Sequence, residues 1–378
     1  MSTILPQSSM EGVLDFSVPE PAFGPGRLER ATRTFIQLLA ECEPRQQVEP
    51  FKKATLVRVT YENVGSKASF LRFFFDNTHI PIDGCGNQLD AASDYEARVA
   101  NFADALFNHF FLPMRAASGQ TPRPSPPGLL INENIENLSG TPGRVASLRR
   151  DCLRRDEHRC VITGFFDTVE AIQRRKALGD EARDDRGIRF IDERPKCKKV
   201  EVAHILPHSL MSRPSGENAE LNSSKKTALA ILDMFDHGVT HLIENQQIDR
   251  PFNAISLIHD LHFWFGDFKL CFEPDDNQEH TYRIEWLGDD LLYPADLPTG
   301  ARVVLSTADP TIDRPSPRLL AIHRAIARIM HMSAAGEYID QILRDLDEGK
   351  VLADGTTRLG QFVALRLDGW LPAQIRAY

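Results

Sequence analysis

Three side chains in a fixed order, His204, Asn253 and His262, have the types that hydrolysis at a phosphodiester asks for. That reaction needs a water deprotonated in line with the scissile bond and positive charge at the leaving oxygen. An imidazole, with a pKa of about 6.5, takes up a proton at neutral pH without being permanently charged, which suits His204 to the first task. A neutral imidazole nitrogen is also a common metal ligand, which suits His262 to the second. Asn253 follows Arg250-Pro251-Phe252, a proline turn that aims its amide inward. There the amide either hydrogen-bonds across the connection and holds the loop carrying His204, or reaches a metal through its carbonyl oxygen.

The neighbours of these three extend the pattern. His204 sits on the apolar stretch Val200 to Leu206, which reads as a strand. From Ala254 to Phe265 the chain is expected to be helical, with His259 three residues before His262 on the same face. His259 or Asp260 would then be a second ligand or an outer partner for the imidazole. His208, His237 and His241 read as ordinary histidines, and Asp236, in Phe235-Asp236-His237-Gly238, as the cap of a turn.

The elements that must position these residues follow from periodicity. Leu28, Ala31, Phe35 and Leu38 recur on one helical face, as do Phe51, Ala54, Leu56, Val57 and Tyr61, and then Val99, Phe102, Ala103, Leu106 and Phe110. These predict an N-terminal helical domain over 27–118 whose aromatic stripes are core. Before it, 1–26 reads as a disordered arm; after it, 119–140 is a linker, since the four prolines between Thr121 and Gly128 remove donors and fix φ. Thr141-Pro142 opens a helix to about Asp156, with threonine as the cap and proline at the first helical position. Cys160 to Gly164 reads as a short strand closed by a turn, and Val169 to Leu178 as a helix within a charged insertion. Strands over Leu270 to Pro274 and Tyr282 to Trp286 complete a domain over 141–300, with a third strand over Val303 to Ser306 just beyond it. Helices starting at Ser316-Pro317, Ala334 and Thr356 make a C-terminal cap over 301–378.

The chain has 378 residues, 22 of them Phe, enough for two or three domains with ample core. It lacks a run of about 18 apolar residues and a signal-peptide pattern, so an intracellular protein of the nucleus or cytoplasm, with no membrane partner, is expected. Six cysteines without a C-x-x-C pair argue for reduced thiols rather than a disulfide framework or zinc ribbon. The net charge of −9 means that any phosphate binding is local. Between Arg144 and Lys199 there are 16 basic and 11 acidic residues, a local +5. Within that segment Arg149, Arg150, Arg154, Arg155, Arg159, Lys196, Lys198 and Lys199 are the candidate phosphate contacts.

The segments RRDCLRRDEHRCVITG, EVAHILPHSL, FDHG, IDRPFNAISLIHDLHFWFGDF and LLAIHRAIARIMHMSAAGEYIDQILRDL resemble fungal proteins that carry an HNH-type endonuclease domain. The resemblance spans most of Arg27 to Leu371, with its catalytic motif over about Val200 to Asp267. It implies an α+β fold: a ββα-metal HNH core with a small antiparallel sheet, flanked by N-terminal and C-terminal helical regions. It also implies a divalent metal, Mg²⁺, Mn²⁺ or Zn²⁺, and nucleic acid, DNA first, as substrate and partner. By the same resemblance His204 is the general base, Asn253 the middle residue and His262 a metal ligand.

Two departures from the family pattern bear on the metal. Many such nucleases place Asp or His immediately before the base, where this chain has Ala203, and the ligand histidine found four residues further on in some relatives is replaced by Gly266. Residues 201 and 203 point to one side of a strand, so Glu201 can take the place that Ala203 leaves. The expected ligands are then Glu201, His262 and either Asn253 or His259. The alternative is a catalytically degenerate module that binds nucleic acid or a protein partner.

Overall fold

Proline at the first turn and aromatic residues at helical spacing shape the N-terminal third, as the periodicity predicts. The computed structural model of the protein describes residues 23–82, 89–118, 141–212, 221–275, 278–347 and 359–371. Helices α1 (Pro25–Cys42), α2 (Lys53–Asn63), α3 (Lys67–Thr78) and α4 (Leu89–Leu106) come first. The last continues through a π-helical stretch, Phe107–Phe111, into α5 (Leu112–Ser118). Phe35, Phe70, Phe74 and Phe102 pack edge to face at ring separations of 4.9 to 6.0 Å, the arrangement that aromatic quadrupoles favour. The prolines of the expected linker and most of the expected arm lie outside the described residues, as does Cys85.

Helix α6 (Thr141–Arg155) buries Val145, Leu148, Cys152 and Leu153. The strand expected from Cys160 is instead a tight turn. Cys160 N–H donates to Phe165 O at 3.0 Å and Gly164 N–H to Cys160 O at 2.9 Å, with Gly164 at φ +71°, a conformation in which a Cβ is strained. A short parallel pair follows, β1 (Phe166–Asp167) with β2 (Cys197–Lys198), and α7 (Thr168–Leu178) lies between them. Buried Asp167 closes this insertion with both carboxylate oxygens, one accepting from Glu170 N–H at the start of α7 and the other from Val200 N–H.

At the centre, β3 (Val200–His204) pairs antiparallel with β4 (Ala254–Ile258), placing Glu201 opposite Leu257 and His204 opposite Ala254. Between them run α8 (Ser223–Phe235), capped by Asn222, and the single turn α9 (Val239–Leu242). Helix α10 starts only at His259 and runs to Gly266. The helix expected from Ala254 is therefore half strand, because an apolar run buried at all five positions is indistinguishable from a buried helix until a partner strand is known. Asp236 does not cap the turn that follows α8. Its carboxylate pairs with Arg318 at 2.6 Å, while Asp233 accepts from Gly238 N–H at 2.8 Å.

The strands β5 (Leu270–Pro274), β6 (Thr281–Trp286) and β7 (Arg302–Val304) form a three-stranded antiparallel sheet, as expected. Helices α11 (Pro317–Ser333), α12 (Ala335–Asp347) and α13 (Leu359–Leu367) complete a mixed fold of many helices and small sheets, of the α+β class. One continuous hydrophobic core joins α1 through Trp370, with α11 packed between α2 and β5. Buried Arg115 of α5 pairs with Asp267 at 2.6 Å and Asp340 of α12 at 2.8 Å, so the end of α10 is tied to helices from both termini. None of the described helices is long and apolar enough to cross a membrane.

The insertion around α7 is held by charge rather than by a large core. Asp185 accepts from His158 Nδ1 at 3.0 Å and from Arg174 at 2.9 Å. Burial would raise its pKa, but these hydrogen bonds outweigh burial and bring it down to about 2. The unfolded chain, with aspartate near about 3.9, takes up this proton first on acidification, so the contribution is present above that value and lost as pH falls toward 2. The melting-temperature difference between wild type and Asp185→Asn should accordingly shrink between pH 5 and pH 2; a difference that stays constant contradicts the assignment.

Candidate functional site

The amide of Asn253 sets the geometry. Asn253 is fully buried where the turn Pro251–Asn253 enters β4. Its Oδ1 accepts from Leu206 N–H at 2.9 Å, and its Nδ2 donates to Leu206 O at 3.0 Å and Ile248 O at 2.8 Å. Of the two roles open in the sequence, this is the geometry of the first: the amide holds the segment leaving β3 against the segment that precedes β4. Arg155 supports the same crossing with its side chain wholly buried, donating to Pro251 O at 2.7 Å and Ala254 O at 2.9 Å and pairing with Asp156.

That clamp brings Asp249 against two histidines. Asp249 Oδ1 lies 3.2 Å from His204 Nε2 and 2.6 Å from His208 Nδ1, and its Oδ2 lies 3.1 Å from Arg144 Nε. Burial would raise the Asp249 pKa, yet the hydrogen bonds from His204 and His208 hold it well below the usual carboxylate range. A carboxylate only accepts, so both facing nitrogens carry hydrogen, which places the lone pair of neutral His204 on Nδ1. That nitrogen is buried and, among the described residues, has no hydrogen-bond partner. Burial pushes the His204 pKa down, and although Asp249 opposes this, the net shift keeps the ring neutral at physiological pH.

His262 joins a different group. Its Nδ1 is 2.9 Å from Glu201 Oε2, His259 Nδ1 is 3.1 Å from the same oxygen, and Lys199 Nζ is 2.6 Å from Oε1. The His262 hydrogen bond does most to hold Glu201 well below the usual range, against burial and with help from Lys199 and His259. The alternation of a strand separates the two groups, since residues 201 and 204 of β3 face opposite sides. His204, Asn253 and His262 are neighbours in the fold, and the charge of His262 adds to the lowering of the His204 pKa.

Among the described residues, the group of histidine, cysteine or acidic side chains whose ligand atoms all lie within 4.8 Å of one another is His204, His208 and Asp249. Two imidazoles and a carboxylate form a donor set that fits a borderline divalent cation such as zinc. Glu201, His259 and His262 do not meet that distance, and their carboxylate is already shared with Lys199. His208, Asp249 and Arg144 are the residues that spacing missed. Only His208 left a trace, four positions after His204; Asp249 is 45 residues away, and nothing local marks it.

The expected phosphate contacts divide by burial. Arg155 is withdrawn from any surface, and Arg149 donates to Val200 O at 3.1 Å. Arg159 is held between Asp184 at 2.6 Å and the ring of Phe166, and Lys198 pairs with Asp296 and Asp260. Lys196 lies 5.7 Å from the ring centroid of Phe165. Arg150, Arg154 and Lys199 remain more than half exposed, each beside a carboxylate.

Truncating the clamp should be costly. Asn253→Ala leaves two buried carbonyls and one N–H unpaired, at about 1 to 3 kcal/mol each, so a loss of at least about 3 kcal/mol is expected in urea denaturation. A loss under about 1 kcal/mol would mean that the amide is not the support described.

Residues 160–273 match the model of a family described as HNH endonuclease. Neither the curated proteins nor the solved structures contain a match to the chain. The matched segment includes β3, β4, α10 and all but the last residue of β5, together with His204, His208, Asp249, Asn253 and the Glu201 group. The chain therefore carries an HNH endonuclease-type domain over residues 160–273.

Proposed function

We propose that the chain is a divalent-metal-dependent endonuclease that hydrolyses phosphodiester bonds of nucleic acid, DNA in the first instance. In this reading the cation is held by His204, His208 and Asp249 rather than by Glu201, Asn253, His259 and His262. The observation that carries it is the convergence of two imidazoles and a carboxylate inside an HNH domain. A cation bound there would acidify a water and stabilise charge on the leaving oxygen. Asp249 supplies the negative charge, and burial keeps His204 neutral, so that a cation would take the place of the hydrogens on the His204 and His208 nitrogens that face Asp249. Arg144, on Asp249 Oδ2, brings a guanidinium to the edge of the group, where it would meet a phosphate oxygen of bound nucleic acid. The donor set favours Zn²⁺ or Mn²⁺ over Mg²⁺, which prefers oxygen ligands.

One atom favours a second reading. The unpartnered Nδ1 of His204, with Nε2–H directed at Asp249, is the arrangement of a general base oriented by a carboxylate. His208 and Asp249 alone would then face the cation. Plasmid nicking with Mn²⁺, Zn²⁺ and Mg²⁺ tests both readings. His204→Ala and Asp249→Asn should each lose roughly 10²-fold or more of the activity. Loss of stoichiometric cation in His204→Ala favours the ligand role, and its retention favours the base. Wild-type protein that binds DNA without nicking it, at a rate equal to His204→Ala, leaves the degenerate module as the function.

A further inference from the structure

The side chain of Lys225, on the first turn of α8, is buried, and among the described residues no carboxylate pairs with it. Its ammonium donates to Ser212 O at 2.7 Å, Ser212 Oγ at 2.6 Å and Gly369 O at 3.2 Å, and it lies 5.6 Å from the ring centroid of Trp370. All three donors are spent on oxygens of two segments that are far apart in the chain. A surface lysine keeps its head in water; this one has replaced water entirely with protein oxygens and an aromatic face.

The two segments are the turn that carries His208 and the C-terminal turn. The first, Pro207 to Ser212, is a single tight turn in which Ser212 Oγ donates to Ser209 O at 3.0 Å and Ser212 N–H to the same oxygen at 3.2 Å, with Leu210 fully buried. The second, Gly369–Trp370, is pinned by two further hydrogen bonds and by burial. Trp370 Nε1 donates to Ser224 Oγ at 2.9 Å, Asn222 Nδ2 donates to Asp368 O at 2.8 Å, and Trp370 itself is 1% exposed. Gly369 stands at φ +69°, and a Cβ there would lie 3.5 Å from Lys225 Nζ.

We infer that Lys225 is a positioning residue for the cation group. Its ammonium clamps the Pro207 to Ser212 turn onto α8 and the C-terminal turn, and so fixes His208 against Asp249. The inference rests on the metal reading of His204, His208 and Asp249, and it adds the C-terminal turn to the support of that site. Side chains that orient metal ligands from outside the ligand shell typically change metal affinity by about 10- to 100-fold when removed.

Three variants test the clamp. Lys225→Met keeps the stem and removes the ammonium, Ser212→Ala removes one acceptor, and Ser212→Thr keeps the hydroxyl. Binding of Zn²⁺ and Co²⁺ to the full chain is measured by chelator competition, the Co²⁺ absorption spectrum reports ligand geometry, and amide hydrogen exchange is followed at Leu210 and Ser212. Lys225→Met should bind roughly tenfold or more weakly, with an altered Co²⁺ spectrum and faster exchange at both amides. Ser212→Ala should move the same way by less, and Ser212→Thr should restore wild-type behaviour. Unchanged exchange at Leu210 and Ser212 in Lys225→Met overturns the clamp. Faster exchange with unaltered cation affinity and spectrum overturns its connection to His208. A wild type that binds neither cation overturns the metal reading itself, and with it the role given to Lys225. If Lys225→Met does not fold, the contrast between Ser212→Ala and Ser212→Thr decides.

Discussion

Much of the centre of this protein depends on one buried primary amide. Asn253 sits among backbone groups that lost their own partners where β3 ends and β4 begins, and it satisfies a donor and two acceptors there. A buried peptide group without a partner is expensive, so this arrangement has little freedom to relax into another register. Because the amide holds Ile248 beside Leu206, the next residue along, Asp249, is delivered to His204 and His208. The site is a consequence of backbone satisfaction.

Around that amide the charged residues follow the same economy. Arg155 and Arg115 are buried arginines whose forks bind backbone carbonyls or carboxylates of distant elements. Both would look from the sequence like surface charge, yet each joins elements, Arg155 at the β3 and β4 crossing and Arg115 between α5, α10 and α12. Of the basic residues between Arg144 and Lys199 only Arg155 is buried, while many of the others pair with carboxylates at or near the surface.

The two carboxylate and imidazole groups on opposite faces of β3 are chemically alike but placed differently. Asp249 is buried, and two imidazoles and an arginine face it; Glu201 lies nearer the surface, with a lysine on one oxygen. Burial gives the first group a neutral histidine with a bare nitrogen. The second group spends its charge holding α10 to β3. This difference makes the Asp249 group the better candidate for chemistry, although the spacing of His259 and His262 is the more conspicuous in the sequence.

By itself the sequence determined the helical thirds at either end, the three-stranded sheet and the helix opening at Thr141. Each of these is marked by local periodicity, caps or a proline turn, within reach of a few residues. It could not determine that Ala254 to Ile258 is strand, because an apolar run buried throughout carries no period. Nor could it show that Asp249 stands beside His204. That contact belongs to the tertiary structure: Asp249 is 45 residues from His204, and only the pairing of β3 with β4, fixed by the Asn253 amide, brings the two together.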